Sequence, residues 1–302
     1  MERLVSAVIT THNRRDFLEK ALHSVLAQTY PNLEVIVVDD QSTDGTREYM
    51  EAFVQSAAES RRFPVTYIYN AEGGGGNHAR NTGILAANGD YIAFLDDDDE
   101  WLPEKTQKQA DYLDQHPEVG AVGCARILEY DLKDRVYEDA SKFVEGDRLR
   151  AVFKTRSLTT SCLMVRRELL LKVGMFDENL RYWQEYELLI RLCQEADLGK
   201  VKENLALFRI IRKDKNRLTN NLDKWEESVQ YLEEKHADFL ASLPPEMLLA
   251  HRKFHARDGA TRCENIGDKK RQREYLKQLL ILEPTFKNTI KFILNRRKLR
   301  PQ

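Results

Sequence analysis

Along the first hundred residues, short β-branched apolar runs alternate with stretches whose apolar positions recur at helical spacing. Leu4 to Thr10 has the pattern of a buried strand, and Phe17, Leu18, Ala21, Leu22, Val25 and Leu26 then fall on one helix face. Leu33 to Val38 repeats the run and ends in Asp39-Asp40, after which Ser42-Thr43-Asp44 supplies N-cap chemistry for a helix through Met50 and Phe53. Val65 to Tyr69 predicts a third strand, Gly73 to Gly76 a flexible loop, and Asn77 the cap of a helix that stops at Asn88-Gly89. A fourth strand, Tyr91 to Leu95, runs straight into Asp96. Pro103 suits the first turn of a helix reaching about His116, Val119 to Ala125 reads as another strand, and 127–160 reads as irregular chain able to line an acceptor site. Cys162 to Val165 predicts a short strand, Arg167 to Val173 a helical turn or two closed by Gly174, and Gln184 to Ala196 a stronger helix.

Strands alternating with helices predict an α/β fold with a mostly parallel sheet covered on both faces, whose ligands bind beyond the carboxyl ends of the strands. From Asp223 onward only helical periodicity remains, broken at Pro244-Pro245, Gly267-Asp268 and Pro284. The expected organisation is an α/β domain over 1–219 and a helical accessory domain over 220–302, with no internal repeat.

Composition narrows the function classes. With 42% hydrophobic and 32% charged residues the chain is an ordinary globular one. Its 47 basic and 49 acidic side chains leave a formal charge of -2, so there is no global field to attract a nucleic acid. Cys124, Cys162, Cys193 and Cys263 are far apart in sequence and match no zinc knuckle or redox pair, which suits a reducing compartment. The apolar stretch after Met1 is too brief for a signal or a membrane span, so a cytoplasmic location is expected.

The strongest chemical feature is Phe94-Leu95-Asp96-Asp97-Asp98-Asp99-Glu100-Trp101-Leu102-Pro103, an acidic cluster directly after a buried strand. Packed carboxylates repel one another, and either solvent or a hard divalent cation relieves the repulsion. Asp96 and Asp98, two apart, can both face the crevice.

Four ordered blocks then carry a family resemblance: Val8-Ile9-Thr10-Thr11-His12-Asn13-Arg14, Val37-Val38-Asp39-Asp40-Gln41-Ser42-Thr43-Asp44-Gly45-Thr46, Ala79-Arg80-Asn81-Thr82-Gly83, and Phe94-Leu95-Asp96-Asp97-Asp98-Asp99. Together they resemble the family-2 glycosyltransferases with the GT-A fold, a Rossmann-like, mostly parallel mixed sheet, over about residues 3 to 215. The resemblance implies that Asp39 accepts a hydrogen bond from the donor's uracil, with Thr10 and Thr11 around the base and Asn13, Arg14 and Asp97 also in the donor-binding set. Arg80 is implied as a donor contact, its guanidinium suited to a diphosphate. Asp96 and Asp98 match the outer positions of the family's DXD motif, Asp98 being the foremost ligand to Mn2+ or Mg2+, with Asp97 and Asp99 behind them or in solvent. The bound ion would stabilise the departing nucleotide diphosphate.

By the same resemblance Glu185, in Trp183-Gln184-Glu185-Tyr186-Glu187-Leu188-Leu189-Ile190-Arg191-Leu192, takes the place of the family's catalytic Asp, and Gln184 replaces an acidic neighbour. Glu187 is a weaker candidate base. Where many relatives have a metal- or diphosphate-binding histidine this chain has Arg212, so Arg209, Arg212, Lys215 or Arg217 is expected to bind phosphate from a mobile loop. Trp101 and Trp183 stack on acceptor sugar or pack in the core. His251 and His255 are ordinary helix residues, because Arg252 breaks the zinc-protease pattern, and Gly73 to Gly76 lacks the lysine of a P-loop.

The expected reaction is inverting transfer of a sugar from a nucleotide-diphosphate donor, UDP-sugar foremost, to the hydroxyl of a carbohydrate or lipid-linked acceptor in bacterial surface-polysaccharide synthesis. A sugar-phosphate nucleotidyltransferase needs a glycine-rich, arginine-bearing loop after the first strand, where this chain has Thr11-His12-Asn13-Arg14. A non-catalytic binding protein or scaffold on the same fold is the other rival, and the intact acidic run and Glu185 oppose it. Finally, Phe286, Ile290, Ile293 and Leu294 interleave with Lys287, Lys291, Arg296, Arg297, Lys298 and Arg300. Such a helix either packs or lies on an anionic membrane, and homo-oligomerisation is a further expectation.

Overall fold

Seven consecutive buried residues make β1 (Val5–Thr11), a strand covered on both faces as a central parallel strand must be. The computed structural model describes residues 2–56, 62–131, 133–155, 158–210 and 221–298. After β1 come α1 (Arg15–Leu26), β2 (Leu33–Asp39), α2 (Thr46–Gln55), β3 (Val65–Tyr69), α3 (Gly76–Ala86), β4 (Tyr91–Asp96), β5 (Glu100–Trp101) and α4 (Lys105–Gln115). The chain continues through β6 (Val119–Tyr130), β7 (Asp134–Tyr137), α5 (Arg148–Arg150), β8 (Met164–Arg166), α6 (Arg167–Lys172), α7 (Gln184–Glu195) and β9 (Asp197–Ile210). One mixed sheet runs in the order β3-β2-β1-β4-β8-β6-β9-β5, with β7 on β6. Strands β3, β2, β1 and β4 are parallel, as are β6 and β9; β8 enters antiparallel between β4 and β6.

Helix α1 is held because Leu18, Ala21, Leu22 and Val25 lie on one face, which packs with Ile9, Val37 and Leu95 of the sheet in the main core. On the other face α3 approaches so closely that a Cβ on Gly83 would meet Val8 Cγ1 at 2.4 Å. Phe94 meets Phe176 edge to face at 5.2 Å.

Several expectations need correction. The stretch 127–160 is not irregular throughout: β6 continues to Tyr130, turns back as β7, and short helical turns follow. The 14-residue β9 was not expected, because its centre, Lys200 to Asn204, is polar. Asn77 does not cap α3, which starts at Gly76; its amide is buried inside the first turn and donates to Asp177 O at 2.7 Å and Leu180 O at 3.0 Å. Gly45, in the left-handed region, stands at the N-cap of α2, and Asp44 just before it accepts from the Thr46 N–H at 3.2 Å. Pro103 precedes α4, whose N-cap is Glu104.

The chain divides into two compact units, Met1–Arg212 and Lys213–Gln302, a division that falls ahead of residue 219. The second consists of α8 (Leu222–Lys235), α9 (Ala237–Ser242), α10 (Pro245–Ile266), α11 (Lys269–Leu282) and α12 (Phe286–Lys298). Its centre is Trp225, fully buried against His255 and Tyr275.

Candidate functional site

Parallel pairing places Thr10 beside Asp96 and Thr11 beside Asp39, so the carboxyl ends of β1, β2 and β4 form one rim. The backbone turns after Asp96, and the four aspartates separate by partner. Asp96 accepts from Arg80 Nη2 at 2.7 Å. Asp97, nearly buried, accepts from the Thr11 hydroxyl at 2.8 Å and from Arg14 at 3.3 Å. Asp98 accepts from Arg14 at 2.8 Å. Asp99 is buried; it accepts from the Ser161 hydroxyl at 2.6 Å and from the Arg209 N–H at 3.1 Å. Asp97 and Asp99 thus lie behind the rim and not in solvent. Burial pushes the Asp97 carboxyl up to about 7 and the Asp99 carboxyl well above the usual range. Asp98 is raised by burial and then by the Asp96 carboxylate.

Ser161 holds this arrangement from beneath, and the sequence reading missed it. Its hydroxyl donates to Asp99 and accepts from the Asp96 N–H at 3.1 Å, while its carbonyl accepts from Trp101 Nε1 at 2.8 Å. A lone serine with no motif around it gives no signal until β8 and β4 pair.

Asp39 is fully buried; its oxygens accept from the Ser42 N–H at 2.9 Å and the Tyr67 hydroxyl at 2.8 Å. It therefore closes the turn after β2. Asn13, at a positive φ of 55°, ties the β1 loop to the β2 loop by accepting from the Thr43 N–H at 2.7 Å. Asp40 beside it accepts from the Gly75 N–H at 2.8 Å, which fixes the glycine loop against the same rim.

Arg80 joins three elements. Buried on α3, it donates to Asp96 at the end of β4 and to Gln184 Oε1 at 2.9 Å at the start of α7, and its guanidinium lies 5.4 Å from the Phe176 ring centre. An ordinary surface ion pair does not describe it. Glu185 follows Gln184 in the first turn of α7 and is part-exposed. Desolvation raises its carboxyl above the usual glutamate value, opposed by its own backbone N–H and by Arg80. Trp183, just before, is held at φ 57°, a costly conformation for a bulky residue, and packs edge to face on Tyr186 at 5.5 Å.

Other candidates have structural tasks. Glu187 is buried and forms a two-oxygen ion pair with Arg191 at 2.6 and 2.9 Å, so it is not poised as a base. Arg209 is on β9, not a loop, and is buried between Glu100 and Glu129, which corrects its expected role as a phosphate ligand. Arg212, Lys215 and Arg217 lie outside the described residues. Trp101 is core, with Lys105 Nζ 3.8 Å from its ring centre, and the four cysteines are buried free thiols. His251 and His255 lie against Glu233 at 3.3 and 3.4 Å.

Among the described residues no three His, Cys, Asp or Glu side chains converge into a ready metal cage. Asp96 and Asp98 still offer the right donor set. A Mg2+-type ion takes one or two carboxylates and completes its shell with water and substrate phosphates, and these hard oxygens at a part-exposed rim fit that demand.

Known proteins share this fold and part of this sequence. Residues 6–174 match the model of glycosyl transferase family 2. The uncharacterised glycosyltransferase alr2836 of Nostoc sp. is 34% identical over 68% of this chain and 64% of its own length. TuaG of Bacillus subtilis, a protein named for teichuronic acid biosynthesis, is 31% identical over 74% of this chain and 83% of its own. The fold is shared with the Pyrobaculum calidifontis mannosyltransferase PcManGT, solved with GDP-Man and Mn2+, at a TM-score of 0.65 and 18% identity over 99% of this chain and 81% of that one. It is shared also with S. aureus TarS 1-349, solved with UDP, at 0.59 and 18% over 97% and 89%. The sheet with its carboxylate rim, the family match and the identity to these relatives together establish that the chain belongs to glycosyl transferase family 2.

Proposed function

We propose that this protein is an inverting, metal-dependent glycosyltransferase that takes a sugar from a nucleotide-diphosphate donor, UDP-sugar foremost, and delivers it to the hydroxyl of a carbohydrate or lipid-linked saccharide. The observation that carries the reading is the Asp96–Arg80–Gln184 link, which sets the carboxylate rim beside the first turn of α7 and its Glu185. Arg80 and Arg14 face the aspartates as cations able to meet a diphosphate. Thr10, Thr11 and Asp39 border the place assigned to the base. Asp96 and Asp98 would hold Mn2+ or Mg2+, which when bound supplies positive charge to the leaving diphosphate. Glu185 takes the proton of the acceptor hydroxyl as its oxygen bonds to the anomeric carbon; the carbon–oxygen bond to the diphosphate breaks on the opposite face.

PcManGT was solved with GDP-Man and Mn2+, and TuaG and the E. coli protein WcaA, 28% identical, are named for teichuronic and colanic acid biosynthesis. These support a nucleotide-sugar donor, a divalent cation and a role in bacterial polysaccharide assembly. The test is Asp98→Asn, which keeps the side-chain size and removes the charge. Mn2+-dependent binding of nucleotide-sugar, followed by calorimetry, should fall at least about tenfold, because a hard cation loses an anionic ligand. Unchanged metal-dependent affinity would remove Asp98 from the metal site.

A further inference from the structure

Helix α12 has one packed side and one apolar side that is uncovered. Asn288 is buried and Phe292 is partly buried, with Arg273 5.3 Å from the Phe292 ring centre, so the face carrying 288 and 292 is the packed one. At about 100° per residue, Phe286, Ile290, Ile293 and Leu294 fall together on the opposite side. They are exposed there: 82% for Phe286, 39% for Ile290, 44% for Ile293 and 50% for Leu294. Four large apolar side chains in one exposed stripe need a partner, since isolated soluble surfaces seldom carry such a patch.

The charge around the stripe says which partner. Residues 286–302 contain six cations and no carboxylate, in a chain whose formal charge is -2. Lys287 and Lys291 are exposed and flank the stripe on one side, and Arg296, Arg297 and Lys298 follow in sequence. Lys291 and Leu294 also border a cavity of about 330 Å³ to which Arg257 and Lys269 contribute cations and Glu264 one carboxylate. Glu283, just before the helix, is already paired with Lys253 and Arg257. An amphipathic helix with an uncovered apolar side, cations at its border and no carboxylate of its own matches the interface of an anionic bilayer, where the side chains enter the acyl boundary and the lysines meet lipid phosphates. Spanning is a different matter: no helix among the described residues is long and apolar enough to cross a membrane.

We infer that α12 is a membrane-surface anchor, which docks the helical unit on anionic phospholipid through Phe286, Ile290, Ile293 and Leu294 with Lys287 and Lys291 at its border. The inference goes beyond the transferase reading and needs neither donor nor metal.

The test is co-sedimentation of the full-length protein with vesicles of phosphatidylcholine alone or mixed with phosphatidylglycerol. Binding is expected to the anionic vesicles, to weaken as salt screens the lysines, and to fall at least tenfold in the double variants Phe286→Ser/Ile290→Ser and Lys287→Gln/Lys291→Gln. Because these side chains point outward, circular dichroism should show both variants folded, and their donor binding should be unchanged. No binding to anionic vesicles by the unaltered protein overturns the proposal. So does binding that neither pair of substitutions weakens. Dimerisation in sedimentation equilibrium that Phe286→Ser/Ile290→Ser abolishes, without vesicle binding, would assign the stripe to a second copy instead.

Discussion

At the scale of single residues, Glu185 and Glu187 show how two carboxylates on one helix turn diverge. Glu187 spends both oxygens on Arg191 inside the core, whereas Glu185 is part-exposed beside the Arg80–Asp96 pair. Glu185→Gln should lower single-turnover transfer by about two to four orders of magnitude while donor binding persists. The sign of the accompanying stability change follows from desolvation. A carboxyl whose folded pKa is raised contributes stability that is full below its unfolded pKa and lost as pH rises through the folded one. The neutral amide keeps that contribution at pH 7, so Glu185→Gln should melt no lower than the parent in calorimetry. Full transfer by the variant, with chemistry limiting, would place the base elsewhere. The position of Glu185 in the first turn of a helix was legible in the sequence; the partners of Glu187 and Arg209 were not, because burial and partner are set by distant segments.

At the scale of elements, α3 illustrates how one glycine sets a helix-to-sheet distance. Gly83 ends the block Ala79-Arg80-Asn81-Thr82-Gly83, and its missing Cβ lets α3 lie against Val8 and Val38. That closeness positions Arg80, one turn earlier, to reach Asp96. Alanine would gain about 1 kcal/mol of helix propensity but overpacks a site where Val8 is in a central strand, at a cost of about 1–3 kcal/mol. Gly83→Ala should therefore lower the urea midpoint and weaken donor binding; a stabilised variant with normal binding would show that α3 can shift freely. Strand β9 marks the opposite limit of legibility. Its Leu205 to Ile210 segment borders the Asp99 turn through the Arg209 N–H, yet its polar middle has no strand periodicity. What makes it a strand is the long parallel pairing with β6, bulged at Cys124/Ala125 and Ala125/Arg126.

At the scale of the whole molecule, paired and desolvated carboxyls answer acid with opposite signs. In the helical unit Glu233 of α8 is lowered to about 2 by its hydrogen bonds to His251 and His255, and Glu283 is lowered by Arg257. A depressed carboxyl contributes stability present above its unfolded pKa and lost as pH falls through the folded value, here from about 4.5 down to about 2 for Glu233. Glu185 in the catalytic unit has the opposite sign. Hydrogen exchange followed unit by unit should show 221–298 losing protection as pH drops toward 3. Glu233→Gln should remove part of that dependence, at a cost at pH 7 of no more than about 1 kcal/mol because Glu233 is 41% exposed and screened. Equal protection of 221–298 in the variant and its parent at both pH values would show that the cluster carries no linkage.

The sequence by itself determined the first four strands and their helices, the helical character of the last quarter or so of the chain, and the acidic run at the end of the fourth strand. These are local signals: a buried strand, an amphipathic face and a strand-end carboxylate are each written in fewer than a dozen consecutive residues. Tertiary structure alone decided how the four aspartates divide between rim and interior, that Ser161 and Arg209 hold Asp99, that Arg80 links β4 to α7, and that one side of α12 is left uncovered. The physical reason is that burial and partner choice belong to surfaces brought together from far apart in the chain. Asp99 and Arg209 are 110 residues apart, and no periodicity along the sequence encodes their meeting.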